Sequence, residues 1–318
     1  MAKWLLKALV QKGISFLPYK ERINYWFQKN VTKGVDLTDA YFEQKLQHAK
    51  DHIAYFTGDT DHGLRDSHVL ELGTGWYPIV PIAMFLNGAA QVRTLDLYDW
   101  LEAENVRKVC RKFMEWHEKH KLTEYLSEID HQRWAVLMQV ATDQSADLKS
   151  ICQRLSIISQ VGDASSTGLP AHSVDFICSN NTFEHIPPKV LSAIITEFSR
   201  VLKEDGIMSH FIDMTDHFAH FDSSISIYNF LSFSPITWSL IDNDIQPQNR
   251  LRYSDYIKLY ILNNISINDY KSWSGDQEAL KQIKLAEQYQ NYPLDDLAIS
   301  HCYLVSTHMP DAYGNKLA

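Results

Sequence analysis

Eight residues, Val69-Leu70-Glu71-Leu72-Gly73-Thr74-Gly75-Trp76, constrain the fold of this chain more than any other stretch. An apolar pair runs into an acid and then into two glycines separated by one residue. A buried strand ends this way when its backbone must turn sharply beside a ligand. Glycine reaches backbone angles closed to other residues and has no Cβ to hold a ligand away. A nucleotide-like cofactor could lie against such a turn.

The rest of the chain supplies a sheet for that turn to belong to. Short apolar runs predict strands over 68–72, 91–97, 156–161, 174–179, 207–214, 265–273 and 298–307. Helical spacing fills the intervals. Ala40, Phe42, Leu46, Ala49, Ile53 and Phe56 recur at helix period within a helical region over 3–56, broken near 13–18 and around Gly34. A polar loop is expected over 58–63. Residues 78–86 open with Pro78 and Pro81, tolerated in a helix's first turn, and Gly88 follows their end. A long helical stretch is expected over 100–155 with a break at 143–146, and another helix over 190–202 followed by a turn at 203–206. Residues 215–253 read as irregular, polar and aromatic. Ser254 is placed to cap a helix to 262, and a charged helix is expected over 276–289.

Strands alternating with helices imply a mostly parallel sheet covered on both faces. Ligands of such sheets bind beyond the carboxyl ends of the strands, near the switch in strand order. Glu71 to Gly75, Asp96, Asp163, Asn180 and Asp213 all fall at such ends. The organisation expected is an N-terminal helical extension over 1–65, then a domain over 66–318 carrying an insertion at about 215–253.

Apolar residues make up 45% of the 318, enough for a sizeable core, and the formal charge of −9 argues against a nucleic-acid surface. Cys110, Cys152, Cys178 and Cys302 lie far apart and form no Cys-x-x-Cys pair, which argues against a disulfide framework or zinc knuckle and for a reducing cytoplasm. No apolar run is long enough to span a bilayer. The N-terminal stretch 3–10 is apolar but interrupted by lysines and lacks a cleavage site. That leaves an amphipathic helix packed on the body or a partner subunit, such as a second copy, or one touching a membrane surface.

The cofactor class narrows at Pro78. A dinucleotide fingerprint has a third glycine there, and this chain has Gly73-Thr74-Gly75-Trp76-Tyr77-Pro78, so a pyrophosphate cradle and a nicotinamide oxidoreductase are disfavoured. A Walker loop is absent. Asp96, about 20 residues after the turn, can accept both hydroxyls of a ribose. Asp163 can accept from an adenine amino group or start a turn, and Glu71 suits an amine-bearing ligand.

The run 69–75, Asp96, Gly162-Asp163-Ala164, Ser173-Val174-Asp175-Phe176, Phe183-Glu184-His185-Ile186 and residues 200–206 resemble the class I S-adenosylmethionine-dependent methyltransferases. The resemblance covers about residues 66–214. It implies a Rossmann-like α/β fold: seven strands, mostly parallel, with an antiparallel last strand, helices on both faces and extra N-terminal helices. It also implies S-adenosylmethionine as cofactor. Gly73, Thr74 and Gly75 would flank the methionine part and Glu71 would sit near its amino end. Asp96 with Leu97 would hold the ribose, Asp163 with Ala164 would touch adenine, and Asn180 would line the pocket. The aromatic pair before Pro78 departs from the family, as does an extra helical element around 119–149.

Methyl transfer to an oxygen of high pKa needs a base. Candidates are His185 after strand four and, after strand five, Asp213, Asp216, His217 and His220. His217 is the preferred base, with Asp213 or Asp216 as its orienter. A related Glu-x-x-Glu-His pattern in ubiquinone-type methyltransferases binds a divalent ion, but the first acid is Asn181 here, and no metal is expected. Tyr228, Trp238, Arg250, Arg252 and Tyr253 are the expected acceptor contacts, aromatic faces for a polar ring and guanidinium groups for an anion. The chain is also similar to bacterial methyltransferases of polysaccharide-type gene clusters. The acceptor expected is a small polar molecule or a glycan hydroxyl. The rival reading is a non-catalytic subunit that keeps the cofactor for regulation or partner binding.

Overall fold

The computed structural model describes residues 3–20, 23, 36–59 and 64–308. The break expected around Gly34 and positions 60–63 of the expected loop lie outside the described residues. Seven strands form one sheet in the order β3-β2-β1-β4-β5-β7-β6. They are β1 (His68–Leu72), β2 (Gln91–Asp96), β3 (Ile157–Val161), β4 (Val174–Asn180), β5 (Leu202–Asp213), β6 (Ile265–Ser274) and β7 (Ile299–His308). The β1 to β5 pairs are parallel, and β7 runs antiparallel to both β5 and β6. The order reverses at β1, whose two neighbours are β2 and β4. The Gly73–Gly75 turn therefore leaves the sheet at its switch point, where such sheets hold ligands.

The helices are α1 (Lys3–Ser15), α2 (Asp39–Asp59), α3 (Ile79–Leu86), α4 (Ala103–Glu118), α5 (His131–Thr142) and α6 (Leu148–Arg154). They continue with α7 (Pro188–Val201), α8 (Pro235–Ile241), α9 (Tyr253–Leu262), α10 (Gln277–Lys281) and α11 (Leu294–Ala298). α3 is buried along its whole length, which explains its lack of a polar face. α7 starts on Pro188 and turns Leu191, Ile194, Ile195 and Phe198 to the sheet at helix spacing. Full burial of a side chain of this size contributes roughly 1.5–3 kcal/mol.

α2 is not an appendage. Its Phe42, Leu46, Ala49 and Phe56 join one core with α3, α4 and the sheet, and its His48 and His52 reach β4, β5 and β7. Ala40, expected on the same face, is exposed. α2 continues through Gly58, where a loop was expected.

Several boundaries differ from the sequence reading for local reasons. The 100–155 stretch is three helices. The break at 143–146 exists because Asp143 bonds Ser145 and Arg154 while Asp147 caps α6, and a second break over 119–130 ends in Asp130 capping α5. Residues 203–206 are not a free turn but an irregularity inside β5, which pairs with β4 at Leu202 and resumes at Ile207. Ser254 does not cap α9. The cap position is Arg252, whose N–H is taken by Asp255, while Ser254 lies inside the helix and bonds Asp296. The helix over 276–289 is reduced to α10 and a single turn at Glu287–Tyr289. The insertion is not wholly irregular, since Ser234 caps α8 within it. All four cysteines are free and buried. Among the described residues, no helix is long and apolar enough to cross a membrane.

Candidate active site

The cofactor end is built from strand ends. Gly73 and Gly75 sit at φ +79° and +67°, in the left-handed region that favours glycine. A Cβ on Gly73 would come within 2.3 Å of Thr182 Oγ1, so that glycine makes room for the segment after β4. A Cβ on Gly75 would meet nothing within 4 Å, so that face of the turn is open to a ligand. Asp96 Oδ2 accepts from Gly75 N–H at 3.0 Å, tying the end of β2 to the turn. Burial pushes the Asp96 carboxyl up, and main-chain N–H donors of Gly75, Tyr98 and Leu97 oppose that. Thr74, Gly75, Asp96, Tyr98, Trp100 and Gln160 line a recess beside the turn. Trp76, in the place of the usual small residues, packs edge-on against Trp100, which also meets Tyr98.

Glu71 is buried, and Thr74 donates to its Oε2 at 2.5 Å. Burial raises its carboxyl, and Lys45 of α2 counters from across the turn. Lys45 is lowered by the same burial, held back by Glu71 and Glu184, and donates to Asn181 Oδ1 at 3.4 Å. Asn180 is buried. Its Oδ1 meets His52 Nε2 at 3.0 Å, leaving its Nδ2 without a protein partner. Ala164 is buried beneath the end of β3, while Asp163 and Leu97 are exposed at the rim. Asp163 accepts from Ser165 N–H, which holds its carboxyl below the usual range, so it does start a turn. Strand-end carboxylates, an open glycine and an unpaired buried amide fit a nucleoside bearing an amino acid.

The second cluster stands at the ends of β4, β5 and β7. His217 Nε2 lies 3.4 Å from Asp213 Oδ2, and His301 Nε2 lies 3.5 Å from Asp213 Oδ1. Thr215 donates to Asp213 Oδ1 from both N–H and Oγ1, at 2.8 and 2.6 Å. Burial would raise the Asp213 carboxyl, but the nearby His217 and His301 rings outweigh it and hold the group well below the carboxylate range, although His217 Nε2 at 3.4 Å falls outside hydrogen-bond geometry. The His185 ring is 4.9 Å from that of His217, and its Nδ1 is 2.6 Å from the Pro247 carbonyl. A carbonyl cannot donate, so Nδ1 carries the proton and Nε2 the lone pair. Burial pulls the His185 imidazole down to about 4, with His217 adding to it. His220 is exposed; its Nε2 lies 2.9 Å from Thr215 Oγ1, and its ring stacks on that of His217 at 5.3 Å.

Asp216 is not an orienter. Its carboxylate accepts from Phe218 N–H at 2.8 Å and Asn229 Nδ2 at 3.1 Å, which pins the insertion. The expected acceptor contacts are also corrected. Arg252 is fully buried, and its guanidinium donates to the carbonyls of Met214, Leu297 and Ile299. Arg250 donates to Phe230 and Phe233 carbonyls and lies over the Trp238 ring. Tyr228 is buried with its hydroxyl on the Ala298 carbonyl, and Trp238 Nε1 donates to the Gln248 carbonyl. Tyr253 packs against Tyr270. These side chains hold the insertion against the sheet because satisfied carbonyls, not an anion, occupy their donors. Sequence reasoning missed Lys45, His52, His301 and Trp273. The signal available for Lys45 was a lone lysine among the apolar positions of α2.

Glu184 is buried with both carboxylate oxygens unpaired, and burial raises it strongly with Asp213 adding. Glu184, His185 and His217 offer ligand atoms within 4.8 Å of one another, the set among the described residues that could hold a metal ion.

Residues 122–209 match a family described as a methyltransferase domain. That segment runs from the end of α4 through β3, β4 and α7 into β5 and lies downstream of the glycine turn. No curated protein matches the chain. Among solved structures, geranyl diphosphate C-methyltransferase from Streptomyces coelicolor A3(2) is similar at 12% identity and TM-score 0.47, covering 84% of this chain and 79% of that one. A putative sarcosine dimethylglycine methyltransferase from Galdieria sulphuraria has 13% identity and TM-score 0.44, covering 84% and 86%. A complex of the Haloferax volcanii Trm112 methyltransferase activator with its putative methyltransferase gives 14% and 0.43, covering 86% and 96%. The match covers 88 residues of the 318 and marks a methyltransferase-domain segment there, set in a mostly parallel seven-stranded sheet.

Proposed function

We propose that the chain is an S-adenosylmethionine-dependent methyltransferase that methylates an oxygen of a small polar molecule or glycan, with His217 as general base and Asp213 as its positioning partner. The observation that carries this is the Asp213–His217 approach of 3.4 Å at the carboxyl end of β5, with His301 on the other carboxylate oxygen. Bound S-adenosylmethionine supplies an electrophilic methyl group. Glu71, Gly75, Asp96, Asp163, Ala164 and Asn180 are the residues that would hold it.

The chain's own residues then have one chemical task, to remove the acceptor's proton. With His217 Nε2 turned to Asp213, its Nδ1 is the nitrogen left to accept that proton, and the Asp213 carboxylate stabilises the imidazolium formed. The low pKa of Asp213 supports this, because the carboxylate stays charged at neutral pH. The acceptor wall is assigned to His301 and Trp273, paired across β6 and β7 and both partly exposed, with Phe211 rings 5.6 and 6.2 Å from them. Such a wall suits a polar ring with an apolar face.

The test is His217→Ala, assayed against hydroxylated sugars and phenols, with S-adenosylhomocysteine binding measured by calorimetry. Turnover is expected to fall about 10²–10⁴-fold while cofactor affinity stays unchanged. Unchanged turnover removes His217 as base. If a chelator instead abolishes wild-type turnover, the Glu184–His185–His217 set is a metal site and the base reading fails.

A further inference from the structure

We infer that α1 and α8 together form a surface that docks on an anionic lipid bilayer. Among the described residues, the contacts that hold α1 to the body come from one of its faces. Trp4 N–H donates to Asp222 and its ring meets Phe218 and Phe233, Ala8 and Gln11 are buried, and Lys12 Nζ bonds the Ser239 and Asp242 carbonyls at the end of α8. At about 100° per residue, Leu6, Leu9 and Val10 fall on the opposite face, within a stripe roughly 100° wide. They are 57%, 53% and 36% exposed. Phe16 and Leu17 prolong the stripe past the helix end at 79% and 48%. α8, packed along α1, adds Ile236 and Leu240 at 79% and 70%, one turn apart. Large apolar side chains gathered this way mark an interaction surface, whereas scattered ones would not.

Charge selects the occupant. The first 20 residues hold four lysines and no acid, in a chain of net charge −9. Lys3 and Lys7 flank the stripe on one side; Lys12, on the other, is engaged by the Ser239 and Asp242 carbonyls, and Lys20 pairs with Asp244. An apolar stripe with basic flanks is the pattern of a helix lying in a bilayer interface, where each lysine near an anionic surface adds attraction. Two copies meeting by this face would set like-charged flanks together. The surface also borders the candidate site. Lys7 Nζ lies 5.2 Å from the Phe221 ring, and Trp4 holds Asp222, both in the loop that begins at Asp213. Docking would bring that loop to the membrane edge, and an acceptor carried on a lipid follows only if the proposed base also holds.

The experiment is vesicle flotation of the full chain with no cofactor or acceptor present, so its result does not depend on the catalytic reading. Vesicles of phosphatidylcholine with about one-third phosphatidylglycerol should carry the protein up, and pure phosphatidylcholine should carry clearly less. Raising the salt should release it. Phe16→Asp with Leu17→Asp, and separately Ile236→Asp with Leu240→Asp, should each lower binding roughly tenfold or more. Unchanged circular dichroism would show that both variants fold. No flotation of the wild-type chain with anionic vesicles overturns the proposal. So does a concentration-dependent dimer in solution that the same substitutions abolish, since a second copy would then own the surface.

Discussion

The two ends of the site are built by different means. The proposed cofactor end is local: Gly73, Gly75, Asp96 and Asn180 sit at the ends of three adjacent parallel strands, and main-chain geometry places them. The acceptor end is assembled from afar. His217 follows β5, His301 lies on β7, Glu184 and His185 follow β4, and the insertion carrying His217 is held by arginines on main-chain carbonyls. The first kind of site is rigid because the sheet is rigid. The second is rigid only while its long-range donors stay in place.

Removing Arg252 gives the largest expected effect on that difference. Arg252→Ala leaves the Met214, Leu297 and Ile299 carbonyls without their donor in a buried place, a loss of about 3–5 kcal/mol. Thermal unfolding should report it. Below the melting point, limited proteolysis should cut first within 215–253 while S-adenosylhomocysteine affinity is kept. Cofactor affinity lost together with the insertion would mean that the two ends are one cooperative unit.

This contrast also governs what could be read from the sequence. The strand order, the glycine turn and the strand-end acids were legible because each is a local pattern of a few residues. Asp213 and His217 were legible as a pair because they are four residues apart after one strand. Arg250 and Arg252 were misread because a sequence does not say whether a guanidinium faces solvent or a carbonyl. Lys45 and His52 were missed because each reaches partners more than a hundred residues away, and His301 because it meets Asp213 from 88 residues further along the chain. Asp216 looked equivalent to Asp213 until its carboxylate was seen to bond Phe218 and Asn229 instead.

Acid should weaken both ends over the same range. His52, which orients Asn180 at the cofactor end, and His185, beside His217, are both pulled down to about 4 by burial. Unfolded histidine titrates near 6.5, so between about 6.5 and 4 the unfolded chain binds protons that the folded chain refuses. Stability is full above that window and falls as pH drops through it, by up to about 2 kcal/mol for each group at pH 5. Calorimetric melting between pH 7 and pH 4.5 should decline, and His52→Gln should flatten part of the decline. A melting temperature constant from pH 7 to pH 5 would mean that these imidazoles are not held neutral.

The smallest effect on stability is expected at Gly75. Both glycines of the turn have positive φ, so alanine at either is strained by roughly 1–2 kcal/mol. They differ in what lies beyond. At Gly73 the new Cβ must displace Thr182, whose Oγ1 also bonds the Leu72 and Asn180 carbonyls, so strain and crowding add. At Gly75 nothing stands within 4 Å, so only the strain remains and the fold should tolerate it. The space that the methyl group fills is the space assigned to the cofactor. Gly75→Ala should therefore melt within a few degrees of the wild-type chain yet bind S-adenosylhomocysteine about tenfold more weakly or worse. Gly73→Ala should lose stability and binding together. If Gly75→Ala binds normally, the cofactor does not lie against the turn, and the recess beside Asp96 would have to hold it from the other side.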